Sequence, residues 1–338
     1  LSRGGQHPSG SGGANGGALG PAGGVGADGG PRFDREVPLN GYVWWYVDAL
    51  SEDGQHGITL IAFLGSVFSP YYAFRRRAGA MADPLGHAAL NVALYGRPGR
   101  WAMTERGRAS VRRDAGSLAI GPSSLRWDGA TLIIEVRETG VPLPRPIRGE
   151  VRVTPEALTG FSASLDDAGR HRWRPMAPRA RVEVRLDQPS LRWSGTGYLD
   201  SNDGDEPLEA GFRRWDWSRA VLAGGETAIL YDTFPHAGDE RGIAIHIARN
   251  GSVTPIMPPP LIVLPRTRWR LPRFTRAEDG AALVTRTLTD APFYARSVLR
   301  TRLLGDHAEA IHESVDLGRF AAPWTQLMLP FRMPRALW

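Results

Sequence analysis

The chain contains no cysteine, and all 41 of its basic residues are arginine. The first absence excludes disulfides, thiolate zinc sites and cysteine nucleophiles. The second excludes a Schiff-base lysine and the lysine of a phosphate-binding loop. The eight histidines are dispersed, with no H-E-x-x-H or comparable ligand spacing, so no metal set is apparent. A G-x-S-x-G elbow is missing, as is a G-x-G-x-x-G set between a strand and a helix, which argues against nucleotide chemistry. Long apolar runs are lacking too. The longest, Ile58–Phe74, is broken by Gly65, Ser66, Ser69 and Pro70 and reads as buried strand and loop rather than a membrane span. Helical periodicity is weak throughout; Glu309–Phe320 and Pro323–Trp338 hold the only short candidates.

What is present is length, aromatic residues and strand patterning. A chain of 338 residues suggests two domains, or one large β domain, with ample material for a core. The net charge of +6 could suggest nucleic acid, yet the arginines are scattered, with Arg75–Arg77 the one run of three. A solvated arginine surface, able to meet anionic lipid headgroups, is the simpler reading, and no nucleic-acid partner is expected. Residues 1–31 are mostly Gly, Ala and Ser, are expected to be disordered, and lack the apolar core of a signal peptide.

Order is expected from about Phe33. Asn40–Leu50 (NGYVWWYVDAL) and Ile58–Phe68 flank the turn Ser51–Gly57 and read as a hairpin, with Pro70–Tyr72 leaving two rings in a loop beyond it. Short strands follow at 91–95, 101–104, 117–120, 124–127, 131–137 and 147–154, punctuated by Gly, Pro and Asp-Gly turns. After a joint at Asp205–Glu209, strands resume at 210–218, 226–233, 242–248, 266–269, 281–288 and 295–304. Met257–Pro260 is a rigid loop. The pattern predicts an all-β fold of two barrel-like halves in tandem, divided as 32–207 and 208–338.

The stretch Gly195–Glu209 (GTGYLDSNDGDEPLE) carries the chemistry. Arg181–Trp193 leads into it as strand, broken by a Gln-Pro turn, so Tyr198 and Asp200 share one face if the strand continues. Asn202–Asp205 are turn formers, which would set the pair at a strand end beside a loop. A carboxylate on an apolar face is costly unless paired or protonated, and protonation makes it an acid available near neutral pH. The competing reading is a turn carboxylate bonding its own backbone, with Tyr198 as wall packing. A glycosidase-type pair among Asp200, Asp203, Asp205 and Glu206 is the weaker reading, because consecutive acids on a turn are usually solvated. His171 and Trp173 form a second couple two residues apart. If the two strands are neighbours, one wall holds an acid, a phenol, an imidazole and an indole, a set suited to chemistry through a cation.

Asn40–Tyr72, His171–Trp173, Gly195–Glu209 and the tail Phe320–Arg335 (FAAPWTQLMLPFRMPR) resemble the carotenoid 1,2-hydratase family, the hydroxyneurosporene synthases of phototrophic bacteria. The resemblance runs from about Phe33 to the C-terminus. It implies two tandem lipocalin-like antiparallel β-barrel domains and cofactor-free addition of water to the terminal C1–C2 double bond of an acyclic carotenoid. The family's essential acid matches Asp200, its companion tyrosine Tyr198, and its His-x-Trp pair His171 and Trp173. An unactivated alkene has no carbonyl to polarise, so protonation at C2 must precede attack and leaves a tertiary cation at C1. On this reading Asp200 is the acid, Trp173 shields the cation, and His171 orients or deprotonates water. Trp44, Trp45, Tyr71 and Tyr72 are candidates for lining the substrate tunnel.

Two rival readings use the same scaffold: a cyclase that folds polyenes by shape, and a carrier that returns its carotenoid unchanged. A substrate that lives in the bilayer implies a cytoplasmic protein in peripheral contact with the inner or intracytoplasmic membrane. The arginines and the tail aromatics Trp324, Phe331 and Trp338 are candidates for that contact, closure of the second barrel being the alternative use of those rings.

Overall fold

Short β-branched and aromatic runs, punctuated by turns, form antiparallel strands through most of residues 29–336, the part of the chain that the computed structural model describes. The segment expected to be disordered lies, through residue 28, outside the described residues, as does Trp338; Gly30 and Pro31 are buried.

The first sheet contains β1 (Tyr42–Ser51), β2 (Gly57–Leu64), β3 (Ala88–Tyr95), β4 (Arg100–Arg106), β5 (Val111–Arg113), β6 (Ser117–Ile120), β7 (Ser123–Trp127), β8 (Leu132–Thr139), β9 (Pro146–Pro155), β10 (Ala163–Ser164), β11 (His171–Gln188) and β12 (Leu191–Gly204). Its order is β4-β3-β2-β1-β12-β11-β9-β8-β7-β6-β5, with β10 pairing β11. One face packs into a single aliphatic core that joins Ala102 of β4 to Leu118 of β6 and Ile134 of β8. Strands far apart in the order can share a core only if the sheet curls on itself, so it forms a nearly closed barrel.

The second sheet contains β13 (Phe212–Val221), β14 (Thr227–Pro235), β15 (Arg241–Ile247) and β16 (Val253–Pro255), then β19 (Ala282–Asp290), β20 (Tyr294–Leu303) and β21 (Asp306–Asp316). Its order is β16-β15-β14-β13-β21-β20-β19. The hairpin of β17 (Leu261–Leu264) and β18 (Arg273–Arg276) lies over one of its faces, where Leu264 joins Ala220, Leu230 and Leu299. Each sheet therefore keeps a core of its own. The faces left over, rich in Trp and Tyr, pack against each other as a third cluster. The fold is all-β and lipocalin-like, two antiparallel barrel sheets in tandem with little helix.

Helices are few: α1 (Pro70–Arg77), α2 (Leu208–Gly211) between the sheets, and α3 (Leu317–Ala321) and α4 (Pro323–Met328) after β21. The expected β1–β2 hairpin forms in register Val43↔Leu64 to Leu50↔Gly57. Several expectations are corrected. The stretch 266–269, expected as strand, is loop and turn between β17 and β18. The strand expected to reach Phe68 stops at Leu64, before Gly65 at φ 68, and Pro70–Tyr72 opens α1 rather than a loop. Ser69 caps that helix, accepting from Tyr72 N at 3.0 Å, and Pro70 pre-sets its first turn. Asn202–Gly204 do not turn; they continue β12, because Arg35, Arg172 and Arg174 all bind the Asp203 carboxylate. Glu309–Asp316 is strand, and helix begins at Leu317 behind the Asp316 cap.

Candidate active site

Asp200 lies within β12, with Tyr198 and Asn202 on the same face. On one side β1 sets Asp48, Tyr46 and Trp44 opposite Tyr198, Asp200 and Asn202. On the other, β11 sets Trp173 opposite Asn202. Two prolines in β11, Pro175 and Pro178, fall at register shifts, so the strand bends as it passes the site. Gly197 lets three strands close up: a Cβ there would stand 2.5 Å from Asp48 O and 2.4 Å from Val182 Cγ2. This face meets Trp215 and Trp217 of β13 and Tyr231 of β14. Between the sheets is a cavity of about 660 Å³, lined by Trp44, Tyr46, Asp200 and Asn202 from the first and by Trp215, Trp217, Tyr231 and Glu313 from the second.

Asp200 is 5% exposed, and among the described residues no arginine pairs with its carboxyl. Burial pushes its pKa up from 3.8 to about 8; the indole N–H of Trp173 and the phenol of Tyr198 pull it down, while Glu313 and Asp48 add to the rise. Trp173 Nε1 donates to Oδ2 at 3.0 Å. Among the described residues neither Oδ1 nor Tyr198 Oη makes a hydrogen bond of ordinary geometry, yet the phenol stands close enough to the carboxyl to lower its pKa as a donor. Burial holds the Tyr198 phenol far above its ordinary value, so it stays a donor. At neutral pH Asp200 is thus a neutral acid with one oxygen unclaimed, on the wall of a largely aromatic cavity.

Asp48, also fully buried, provides the contrast. Burial would raise it, but Arg219 and Arg296, each at 2.7 Å, hold it below the ordinary carboxylate value. Arg296 also donates to Tyr46 Oη and to Glu313, and Tyr46 donates to Glu313 Oε1 at 2.8 Å. A third buried acid, Asp216, is raised to about 7 by burial, but it sits on the other face of β13 and accepts from Ser314 and Phe274 N. It does not line the cavity.

The structure brings Asp200, Tyr198 and Trp173 together and separates the other expected residues. Trp173 is fully buried behind the carboxyl, bonded to it, and does not line the cavity; the indoles that do are Trp44, Trp101, Trp215, Trp217 and Trp269. His171 pairs opposite Gly204, its ring held by Tyr42 Oη at 2.9 Å and Glu206 Oε1 at 3.3 Å, with burial lowering its pKa. A Cβ at Gly204 or Gly211 would collide with that ring. So His171 braces the joint between the sheets instead of facing the cavity. Of the tunnel candidates only Trp44 lines the cavity. Trp45 points to the opposite face of β1, into the aliphatic core 4.8 Å from Phe33, because adjacent strand residues alternate. Tyr72 is buried in α1, donating to Gly41 O at 2.8 Å, and Tyr71 beside it is half-buried away from the cavity. Trp215, Trp217, Tyr231 and Glu313 join the site from the second sheet, and the Trp-x-Trp spacing of β13 is the one local sign of it in the sequence. Among the described residues no three His, Asp or Glu side chains are arranged to hold a metal ion.

A family model described as carotenoid hydratase CrtC matches residues 60–338. The chain is 54% identical over 338 residues to the acyclic carotenoid 1,2-hydratase of Thiocapsa roseopersicina, spanning 99% of this chain and 83% of that protein. It is also 54% identical over 310 residues to the acyclic carotenoid 1,2-hydratase of Rubrivivax gelatinosus, spanning 91% of this chain and 76% of that protein. Among solved structures, the kievitone hydratase of Nectria haematococca superposes with a TM-score of 0.50 at 9% identity over 88% of this chain and 96% of that one, a likeness of fold alone.

The raised pKa has a consequence for stability. Folded Asp200 keeps its proton up to about pH 8, while the unfolded chain releases it near 3.8. Between those values the folded state binds the extra proton, so stability falls as pH rises, by up to about 1.4 kcal/mol per pH unit, and levels off above the folded value. Asp200→Asn removes that loss. Thermal melting of both proteins across this range should show an advantage for the variant that grows with pH and then levels off. A difference independent of pH would mean that Asp200 is ionised throughout.

Proposed function

The chain belongs to the carotenoid hydratases, a hydro-lyase family, and from that membership we propose that it adds water to the terminal C1–C2 double bond of an acyclic carotenoid such as neurosporene or lycopene, without a cofactor. The observation that carries the reading is Asp200: a neutral buried carboxyl, one oxygen unpartnered, facing an aromatic cavity. Asp200 gives its proton to C2, the double bond's electron pair forms the new C–H bond, and a tertiary cation is left at C1. The rings of Trp44, Trp215 and Trp217 line the space where that charge develops, and indole faces stabilise a cation. Trp173 and Tyr198 act behind the acid. The Trp173 N–H fixes the carboxyl through Oδ2 and leaves Oδ1 to carry the proton. Water then adds to C1, and loss of its proton gives the tertiary alcohol.

Access to the cavity supports peripheral contact with a membrane. Leu143, Trp269 and Met328 line the cavity and are also 59%, 43% and 44% exposed, and Leu327 and Phe331 nearby are 75% and 81% exposed. Trp324 of α4 stacks on Trp269 at 6.3 Å. Arg100, Arg145 and Arg332 line the same cavity. An apolar rim with arginines suits a lipid surface carrying anionic headgroups, from which a hydrocarbon substrate could pass without crossing water. Among the described residues no helix is long and apolar enough to cross a membrane.

Incubation with lycopene in detergent, with no added cofactor, should yield a product heavier by the mass of water, and Asp200→Asn should lose at least a hundredfold in rate. Because the acid must be protonated, the wild-type rate should fall as pH rises through about 8. Bound carotenoid returned at unchanged mass would favour a carrier, and rearranged carotenoid of unchanged mass a cyclase. For the membrane reading, the protein should sediment with anionic vesicles, and Leu327→Ser with Phe331→Ser should weaken that binding. Equal recovery with and without vesicles would contradict it.

A further inference from the structure

The hydration just described needs a second proton carrier, because water that has added to a cation must give up a proton. With His171 turned away between Tyr42 and Glu206, the carbon site needs another acceptor. Among the described residues two carboxylates of the second sheet line the cavity: Asp290 at the end of β19, where it accepts from Arg268 N at 2.7 Å, and Glu313 on β21, set across from Trp217 and Arg296 in the strand pairing. Of the two, Glu313 is the one whose charge acts on Asp200. It is near enough to Asp200 that its charge helps keep the Asp200 proton in place.

The surroundings of Glu313 suit an acceptor. Arg296, itself 1% exposed, pairs with it, and Tyr46 donates to the same oxygen, Oε1, leaving Oε2 free of both. Arg296 and Arg219 balance Asp48 and Glu313 in charge, so the group of four is neutral as a whole. Three of these four are sealed from the cavity; Glu313 alone of them lines it, together with Tyr46 and Tyr294. A purely structural counter-ion for Arg296 would have no need to reach the cavity wall.

We propose that Glu313 is a catalytic residue of the hydration, the base that binds the attacking water and takes its proton as the O–C1 bond forms, positioned by Arg296 and Tyr46. This rests on the hydratase reading above. In the full step the Asp200 proton goes to C2, the water oxygen supplies the electron pair to C1, and one water proton passes to Glu313. Release of the alcohol leaves Asp200 ionised and Glu313 protonated, and transfer of that proton back through water in the cavity restores both.

The test separates forming the cation from capturing it. Wild type, Glu313→Gln and Asp200→Asn are each incubated with lycopene in D₂O, and both product alcohol and recovered carotenoid are analysed by mass. Glu313→Gln keeps an oxygen for Arg296 and Tyr46 but cannot accept the proton. It should lose about a hundredfold or more in alcohol formation, while deuterium enters recovered carotenoid because the cation still forms and reverts. Asp200→Asn should show neither alcohol nor exchange. Should Glu313→Gln fold poorly, Glu313→Asp keeps the charge opposite Arg296 at a shorter reach and should show the same shift from capture toward exchange. Alcohol formation at the wild-type rate in either folded variant, with no added exchange, would overturn the proposal and leave Glu313 as a counter-ion. Wild type that gains no water would instead overturn the hydratase reading itself.

Discussion

A carboxylic acid in water gives up its proton far below neutral pH, and everything about this site depends on preventing that. The device is burial without a cation. Asp200 and Asp48 lie on one face of the same sheet, on adjacent strands, and both are removed from solvent. Asp48 has two guanidinium partners and is held ionised; Asp200 has an indole N–H and is held protonated. A neutral donor at Oδ2 orients the group without supplying the positive charge that would strip its proton. The same sheet thus presents an anchor and an acid, distinguished by what each carboxyl is bonded to.

The architecture follows from that requirement. A site that must be dry, rigid and large enough for a hydrocarbon cannot be a groove on one curled sheet whose interior is already filled by aliphatic side chains. Here it is made by laying a second sheet over the aromatic face of the first, so that strand pairing fixes each wall and the cavity is what the two walls leave between them. The charged group of Asp48, Arg219, Arg296 and Glu313 spans that interface and holds the walls in register. His171 braces the joint at its edge, between Tyr42 of one sheet and Glu206 of the connection to the next.

Much of this was legible in the sequence, and the limits of legibility are physical. The β character and the Tyr198–Asp200 couple followed from local alternation and turn chemistry. The pairing of the His171–Trp173 strand with the Asp200 strand was open in the sequence and is realised as the β11–β12 hairpin. What local patterns could not give is which face meets what. Trp44 and Trp45 are equivalent as neighbours in a strand, yet one lines the cavity and the other is core, a difference set by a sheet folded from residues far away. Asn202–Gly204 carry turn residues and form strand because three arginines, one of them from residue 35, converge on Asp203. Glu313 and Trp217 belong to the site only through the packing of the second sheet on the first, a contact more than a hundred residues removed from Asp200 in the case of Glu313.

Catalysis by Asp200 requires a neutral acid at working pH, and its carboxyl stretch reports that state directly. An infrared difference spectrum of wild type minus Asp200→Asn, followed across pH, isolates the band of the one carboxyl. The protonated C=O band should persist at neutral pH and give way to the carboxylate pair near pH 8. Loss of that band near the ordinary carboxyl value of about 4 would contradict it.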